Sequence, residues 1–321
     1  MIEFISTFDG PPISVHASIS GMAIYLDTFA VIGLAKDDQK RRQRFLDTLN
    51  SGADILFSVS TMAELSRLPS HAIELVRSFL NDIGPHWYPV ELDATKVVNR
   101  EIDATKVVNW VKDISRAGEA CLSMQFINDY FRIRMQDLTS RPIINPSDDF
   151  ARLGPVLDWV TPQRDSIRKG TYDMDDALIK RISGYRSQHE LDSSWLDRAF
   201  PELSYDSVPP GTFVYVNLIR SLILEAKGYQ LKKNDGLDFC HTVIGSAFAS
   251  VATLDKQWKR RVANLPKPNR VAPVFCANEL DTMVALLESD VKIMRDTQSL
   301  RAIGGWRTPP HNTPSSIAPR S

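Results

Sequence analysis

The chain has 321 residues, 43% of them hydrophobic, and a formal net charge of −1. It can bury a sizeable core, and it has no overall positive field that would attract nucleic acid. The three cysteines, Cys121, Cys240 and Cys276, are widely spaced, which excludes a disulfide framework and a CxxC zinc site. Neither a signal peptide nor an apolar run of membrane-spanning length is found. We therefore expect a cytoplasmic protein that has no membrane partner.

Strand and helix patterns alternate between residues 22 and 92, after an N-terminal extension (1–21) that we interpret as irregular. The predicted strands are 23–27, 55–59 and 87–92, and the predicted helices are 37–49, 61–68 and 71–80. Such alternation is typical of parallel strands that are joined by crossover helices.

Residues 93–230 are predicted to be almost wholly helical, in stretches such as GEACLSMQFINDYFRIRMQDL and GTFVYVNLIRSLILEAKG. Since a structureless connection of this length is improbable in a compact protein, we predict a helical subdomain inserted into an α/β domain. The alternation then returns between residues 231 and 290. Its predicted elements are a helix at 237–249, strands at 251–254 and 271–275, and a helix at 278–287. Residues 291–321 are predicted to be a helix end and a disordered tail.

One segment is duplicated: ELDATKVVNR (91–100) is followed by EIDATKVVNW (101–110). Two short copies are too few for a repeat architecture. Because ten residues are not a whole number of helical turns, the copies face different directions. We interpret the duplication as a lengthening of one helix.

Four acidic residues occupy related places in this pattern. Asp27 and Asp255 follow predicted strands, while Glu64 and Asp238 are expected in the first turns of predicted helices. In an open parallel sheet these places share one edge, where the ligand crevice lies. Carboxylates that converge there repel one another unless cations compensate for their charge. Oxygen donors without His or Cys favour Mg²⁺ or Mn²⁺ over zinc.

The arrangement resembles the PIN-domain nucleases, the fold of many bacterial toxin–antitoxin ribonucleases. The matching stretches are IYLDTFAVIGLAK, FSVSTMAEL, GLDFCHTVIGSAFASVATLDKQW and VAPVF, which together cover less than half of the chain. The resemblance implies a three-layer α/β/α domain with a parallel sheet, here with an inserted all-helical subdomain. It also implies that the acids bind one or two Mg²⁺ or Mn²⁺ ions and hydrolyse phosphodiester bonds, usually in RNA.

The resemblance assigns roles to individual residues. The implied metal ligands and catalytic residues are Asp27, Glu64, Asp238 and Asp255. Hydroxyl groups that would orient these carboxylates belong to Thr28, Ser60 and Thr253, and Ser60 or Thr61 is expected to cap the helix that carries Glu64. Cations next to Asp255 that would contact substrate phosphates are Lys256, Lys259 and Arg260.

Three features depart from the family pattern. Phe29 stands where the family commonly has a small polar residue, and the helical insertion is far longer than in the small toxins. Asp235 competes with Asp238 for the third acidic position, although the spacing favours Asp238.

Three other features have two interpretations each. His241 could orient a phosphate and Trp258 could stack on a base, but for both residues we favour packing in the core. The stretch TYDMDDALIKR contains Asp173, Asp175 and Asp176 but lacks the Gly and the terminal Glu of a calcium loop. We interpret it as a solvated helix start.

The expected function is that of a divalent-metal-dependent nuclease, an endoribonuclease of toxin or defence type that acts on RNA rather than DNA. The alternative is a catalytically inactive PIN-like binding or regulatory module whose inserted helices form a partner surface. The sequence leaves open an inhibitory protein partner and a homodimer.

Overall fold

A computed structural model of the chain describes residues 2–5, 14–17, 19, 21–37, 39–107, 122–123, 130 and 152–303. The strands in this part of the chain are β1 (Ile2–Ile5), β2 (Ser14–Ala17), β3 (Met22–Tyr25), β4 (Ala53–Phe57), β5 (Trp87–Pro89), β6 (Val251–Thr253) and β7 (Val274–Phe275). The α-helices are α1 (Thr28–Lys36), α2 (Gln39–Leu49), α3 (Val59–Leu65), α4 (Ser70–Asp82), α5 (Ala94–Val107), α6 (Leu153–Val160), α7 (Arg164–Leu191), α8 (Trp195–Ala199), α9 (Pro210–Leu224), α10 (Asp235–Phe248), α11 (Lys256–Ala263) and α12 (Leu280–Ile303). None of these helices is long and apolar enough to cross a membrane.

Five parallel strands form the central sheet, in the order β5-β4-β3-β6-β7. The chain builds outward from β3 to β4 and β5, then crosses to the other side of β3 and adds β6 and β7. Ile24 of β3 pairs with Ile55 of β4 on one side and with Val251 of β6 on the other. The strand order therefore reverses between β3 and β6, where an open parallel sheet forms its ligand crevice. The predicted parallel α/β fold is confirmed.

Helices cover both faces of the sheet. Alternate strand residues point to opposite faces, so Ile24 packs in one core and its neighbour Tyr25 in another. The first core is completed by α1, α2, α3, α4, α6 and α12, and the second by α5, α7, α9, α10 and α11. Burial on both faces explains why the strands are continuously apolar.

Helices from the predicted insertion share a core with one face of the sheet. Val97 of α5, Leu178 of α7 and Phe213 of α9 all lie in the same core as Tyr25. Helix α7 also contacts α3 and α10. The helical prediction for GTFVYVNLIRSLILEAKG is confirmed by α9, whereas GEACLSMQFINDYFRIRMQDL lies outside the described residues except at 122–123 and 130.

The N-terminal extension is more ordered than predicted. Strands β1 and β2 pair antiparallel, with Ile2 opposite Ala17 and Ile5 opposite Ser14. The turn-forming residues DGPP lie between these two strands, and such residues are typical of the connection in a hairpin. The irregular assignment was therefore wrong for these two segments. The predicted tail beyond residue 303 lies outside the described residues.

One helix runs through the described parts of both copies of the duplicated segment, as predicted. Helix α5 crosses the junction of the two copies. Leu92 of the first copy is buried, while its counterpart Ile102 is exposed. The reverse holds for the acids, since Glu101 is fully buried and its counterpart Glu91 only partly.

Glu101 caps the start of α9 from another helix. Its carboxylate accepts hydrogen bonds from the N–H of Gly211 (3.1 Å), the N–H of Thr212 (2.7 Å) and the hydroxyl of Thr212 (2.9 Å). Burial raises the pKa of Glu101, and these hydrogen bonds lower it. The first N–H groups of a helix have no partner within the helix, so Glu101 joins α5 to α9.

We predict that Glu101→Ala lowers the free energy of unfolding by about 2–4 kcal/mol, because three donors lose their acceptor in a buried place. Urea denaturation measures this change. Glu74→Ala, which removes an exposed glutamate from α4, is the matched control and should change stability by less than about 0.5 kcal/mol. Equal effects of the two substitutions would contradict the capping role.

Candidate metal centre

Asp27 lies at the carboxyl end of β3 and begins α1. Its carboxylate accepts a hydrogen bond from the N–H of Thr28 (2.7 Å) and is the N-cap of the helix. The backbone N–H of Asp27 donates to the hydroxyl oxygen of Thr253 (2.8 Å) at the end of β6. Thr253 has no exposed surface, so this hydrogen bond joins the ends of the two central strands.

Asp255 occupies the equivalent place after β6. Its carboxylate accepts a hydrogen bond from the N–H of Trp258 (2.9 Å) and caps α11. Asp27 is partly buried, while Asp255 is exposed. Each acid that follows a strand is thus a helix cap at the edge where the strand order reverses.

Glu64 reaches the same edge from α3, but from a different position than predicted. The N-cap of α3 is Ser58, whose hydroxyl oxygen accepts a hydrogen bond from the N–H of Thr61 (3.2 Å). The prediction that Ser60 or Thr61 caps this helix was wrong, because β4 ends directly before Ser58. Glu64 therefore lies in the last turn of a short helix, where it accepts a hydrogen bond from the hydroxyl of Thr28 (2.5 Å).

The third acid at this edge is Asp238 rather than Asp235. Asp235 is buried, and its carboxylate accepts hydrogen bonds from the hydroxyl of Tyr229 (2.6 Å) and the N–H of Lys232 (2.5 Å). These contacts close the loop before α10. Asp238 lies about one turn farther along the helix, is partly buried, and lines an open cleft.

The four acids influence one another electrostatically. The pKa of Asp238 is raised to about 7, first by burial and then by the charges of Asp255 and Asp27. The pKa of Asp27 is also raised, chiefly by burial. His241 and the Thr28 N–H lower it, and the charges of Glu64 and Asp255 raise it further. The tertiary structure thus brings the four predicted acids to one edge of the sheet.

The chemistry of these donors fits a hard divalent cation. All four side chains offer carboxylate oxygens, which suit Mg²⁺ or Mn²⁺. A cation between them would offset the repulsion that raises the pKa values of Asp27 and Asp238. Among the described residues, no three or more His, Cys, Asp or Glu side chains lie close enough together in this structure to hold a metal ion.

Asp175 of α7 holds the start of α10 in place. Its buried carboxylate accepts hydrogen bonds from the N–H groups of Asn234 (2.9 Å) and Leu237 (3.0 Å). The two helices approach so closely that a Cβ atom on Gly236 would lie 2.8 Å from Asp175. Asn234 has a φ of 78°, in the left-handed region that few residues other than glycine adopt. These contacts fix the helical turn that carries Asp238.

The interpretation of TYDMDDALIKR as a solvated helix start was wrong. The stretch lies in the middle of α7, and Asp175 is only 1% exposed. Asp173 and Asp176 are exposed, as expected. Asp175 shares the buried side of the helix with Leu178 and Ile182.

His241 and Trp258 fill the core, as predicted. Nδ1 of His241 is hydrogen-bonded to the hydroxyl of Tyr25, and His241 is 4% exposed. Trp258 is 2% exposed and packs edge-on against Phe239, with the ring centroids 6.3 Å apart. Phe29 packs at the margin of the first core.

The remaining predicted residues have varied surroundings. Lys259 forms a salt bridge with both carboxylate oxygens of Glu279 (2.7 and 2.6 Å), whereas Lys256 and Arg260 are exposed on α11. The hydroxyl of Ser60 contacts that of Thr171 on α7 at 3.0 Å and none of the four acids.

Sequence reasoning missed the cleft beside the acids. This cleft has a volume of about 370 Å³. The residues that line it are Ser60, Glu64, Arg67, Arg168, Thr171, Tyr172, Asn234, Leu237 and Asp238. The burial of Asp175 could have been predicted, because apolar residues follow it at positions i+3 and i+7. Nothing in the sequence placed Arg168 or Tyr172 beside Glu64.

No family model matches the chain, and comparison with curated proteins and solved structures finds no similar one.

We predict that Asp238→Asn stabilises the metal-free protein at about pH 8 but not at about pH 4. Between the ordinary pKa of 3.8 and the folded value of about 7, the folded protein binds more protons than the unfolded chain. Its free energy of unfolding therefore falls as the pH rises through this interval. Thermal unfolding with a chelator at several pH values measures the difference. The exposed Asp176→Asn is the control, and an equal gain for both variants would contradict the prediction.

We also predict that Asp175→Ala lowers the free energy of unfolding by about 2–4 kcal/mol, because the buried N–H of Leu237 and the partly buried N–H of Asn234 lose their acceptor. Asp176→Ala should change it by less than about 0.5 kcal/mol. Asp175→Asn keeps one acceptor oxygen, so its loss in free energy of unfolding should lie between those of Asp175→Ala and Asp176→Ala. Urea denaturation measures all three. If Asp175→Ala and Asp176→Ala behave alike, Asp175 does not hold α10.

Proposed function

We propose that the chain is a divalent-metal-dependent endoribonuclease of PIN-like type, of the toxin or defence class. The observation that carries the proposal is the convergence of Asp27, Glu64, Asp238 and Asp255 where the strand order reverses, with raised pKa values for Asp27 and Asp238. Strongly perturbed carboxylates in a cleft are typical of functional sites. Four like charges held close together reduce the stability of the folded state. A purely structural role therefore explains the four carboxylates poorly.

In this proposal the four carboxylates hold one or two Mg²⁺ or Mn²⁺ ions. When bound, such ions lower the pKa of a coordinated water, orient the scissile phosphate and stabilise the leaving oxygen. The hydroxyl of Thr28 orients Glu64 through its hydrogen bond. The hydroxyl of Thr253 fixes the backbone of Asp27. Asp238 carries a proton for part of the time near pH 7 and releases it when a cation occupies the site.

The second candidate is a catalytically inactive binding or regulatory module in which the inserted helices form the partner surface. The near-neutral net charge and the presence of Phe29 beside Asp27 favour this candidate. It predicts that divalent cations have no effect on stability.

The proposal is tested by cleavage of labelled RNA and single-stranded DNA with Mn²⁺ or with EDTA. We expect RNA cleavage that requires Mn²⁺. Asp27→Asn and Asp238→Asn should each slow it by at least about 100-fold, because even substitutions behind the ligands of a metal site cost about 10–100-fold. The control, Asp176→Asn, should cleave at the wild-type rate. Full metal-dependent activity in Asp27→Asn would show that the assignment is wrong.

Titration with Mn²⁺ separates the two candidates. A nuclease of this type gains thermal stability as the cation binds the folded state, and Asp238→Asn reduces that gain. An unchanged melting temperature, together with no cleavage of any substrate, would overturn the proposal in favour of the binding module.

A further inference from the structure

The cleft beside Glu64 and Asp238 has cations around it. Arg67 follows α3, Arg168 lies on α7, and both line the cleft. Lys233 lies in the turn before α10. Two acids, Glu64 and Asp238, and two cations, Arg67 and Arg168, therefore line one opening. Lys233 lies next to this opening, over the ring of the lining residue Tyr172.

Tyr172 organises two of these cations. The guanidinium carbon of Arg168 lies 5.0 Å from the centre of the Tyr172 ring, and Nζ of Lys233 lies 4.5 Å from it. The guanidinium of Arg168 also donates a hydrogen bond to the Tyr172 hydroxyl. Cation–π contacts hold positive groups near an aromatic face without neutralising them. Within the described ranges of the chain, the carboxylate paired with Arg168 is that of Asp165, at 3.9 Å, and Asp165 is largely exposed.

In the part of the chain that the structure describes, the arginines of α2 are neutralised by close carboxylates, unlike Arg168 and Lys233. Carboxylates pair closely with Arg41, Arg42 and Arg44. Lys259, near Asp255, is paired with Glu279. Arg168 and Lys233 instead point their charge at an aromatic ring beside the acids. A contact between an exposed cation and a phosphate supplies affinity without reading sequence.

We infer that Arg67, together with Arg168 and Lys233, which Tyr172 holds, forms a phosphate-binding tract for the nucleic-acid strand adjoining the scissile bond. The inference rests on the proposed nuclease function. It assigns the contact between α7 and the substrate to Arg168 and to Tyr172, which holds that arginine. The cleft has the size of a small-molecule pocket, so it admits a single strand rather than a double helix. Basic groups and aromatic rings in one groove are typical of single-strand binding sites.

The test uses the double variant Arg168→Ala/Lys233→Ala. Its control is the double variant Lys180→Ala/Lys292→Ala, which removes the same charge from exposed positions on α7 and α12. Steady-state cleavage of single-stranded RNA with Mn²⁺ is measured at several salt concentrations. We expect KM to rise about ten-fold in the first variant, with kcat changed less than about three-fold, and the slope of log KM against log salt to fall by about 1.4. The control and the charge-preserving Arg168→Lys/Lys233→Arg should keep KM and the slope close to wild type.

The outcomes separate this inference from the proposed function. Suppose that wild type cleaves RNA, and that KM in Arg168→Ala/Lys233→Ala rises no more than in the control variant. The phosphate-binding tract is then overturned, and the proposed nuclease function stands. If wild type shows no metal-dependent cleavage, both fail. A rise in KM with a reduced salt slope in the first variant alone supports the tract.

Discussion

The pairing of β3 with β6 is the constraint on which the rest of the site depends. These parallel strands are neighbours in space, although their sequences are more than two hundred residues apart. The hydrogen bond from the Asp27 N–H to the Thr253 hydroxyl aligns their ends. Because α1 and α11 each begin directly after one of these strands, Asp27 and Asp255 must both lie at the same edge. Glu64 and Asp238 reach that edge from helices that pack around it.

Buried carboxylates join the helices of the second core to one another. Glu101 of α5 caps α9, and Asp175 of α7 accepts two N–H groups at the start of α10. A helix N-terminus offers unpaired donors, and a buried carboxylate needs donors if it is to stay charged. Helices α5, α7 and α9 therefore pack as part of the core that contains Tyr25, and α7 determines where the turn that carries Asp238 begins. A loop of similar length without these contacts would leave that turn unsupported.

The acids illustrate a conflict between stability and function. Asp27 and Asp255 gain hydrogen bonds as helix caps, which accounts for part of their placement without any ligand. Capping does not remove their mutual repulsion. Burial, and then the charges of Asp255 and Asp27, raise the pKa of Asp238 to about 7. A folded chain that keeps such a group at neutral pH gives up stability at the site.

The sequence by itself determined the alternation of strands and helices and the places of Asp27 and Asp255 after two of the strands. These follow from local rules: strand periodicity, helix periodicity, and the tendency of Asp to begin helices. The preference for Asp238 over Asp235 came from the spacing in the PIN-domain resemblance and not from these rules. The sequence also contained the signal for the buried side of α7, since Leu178 and Ile182 follow Asp175 at helical spacing, although that signal was misread. Only the tertiary structure decided that Ser58 caps α3, that Asp175 holds α10, and that Arg168 and Tyr172 stand beside Glu64. Each of these depends on where a strand stops or on contacts between residues distant in sequence, which packing of the whole chain sets and local patterns do not encode.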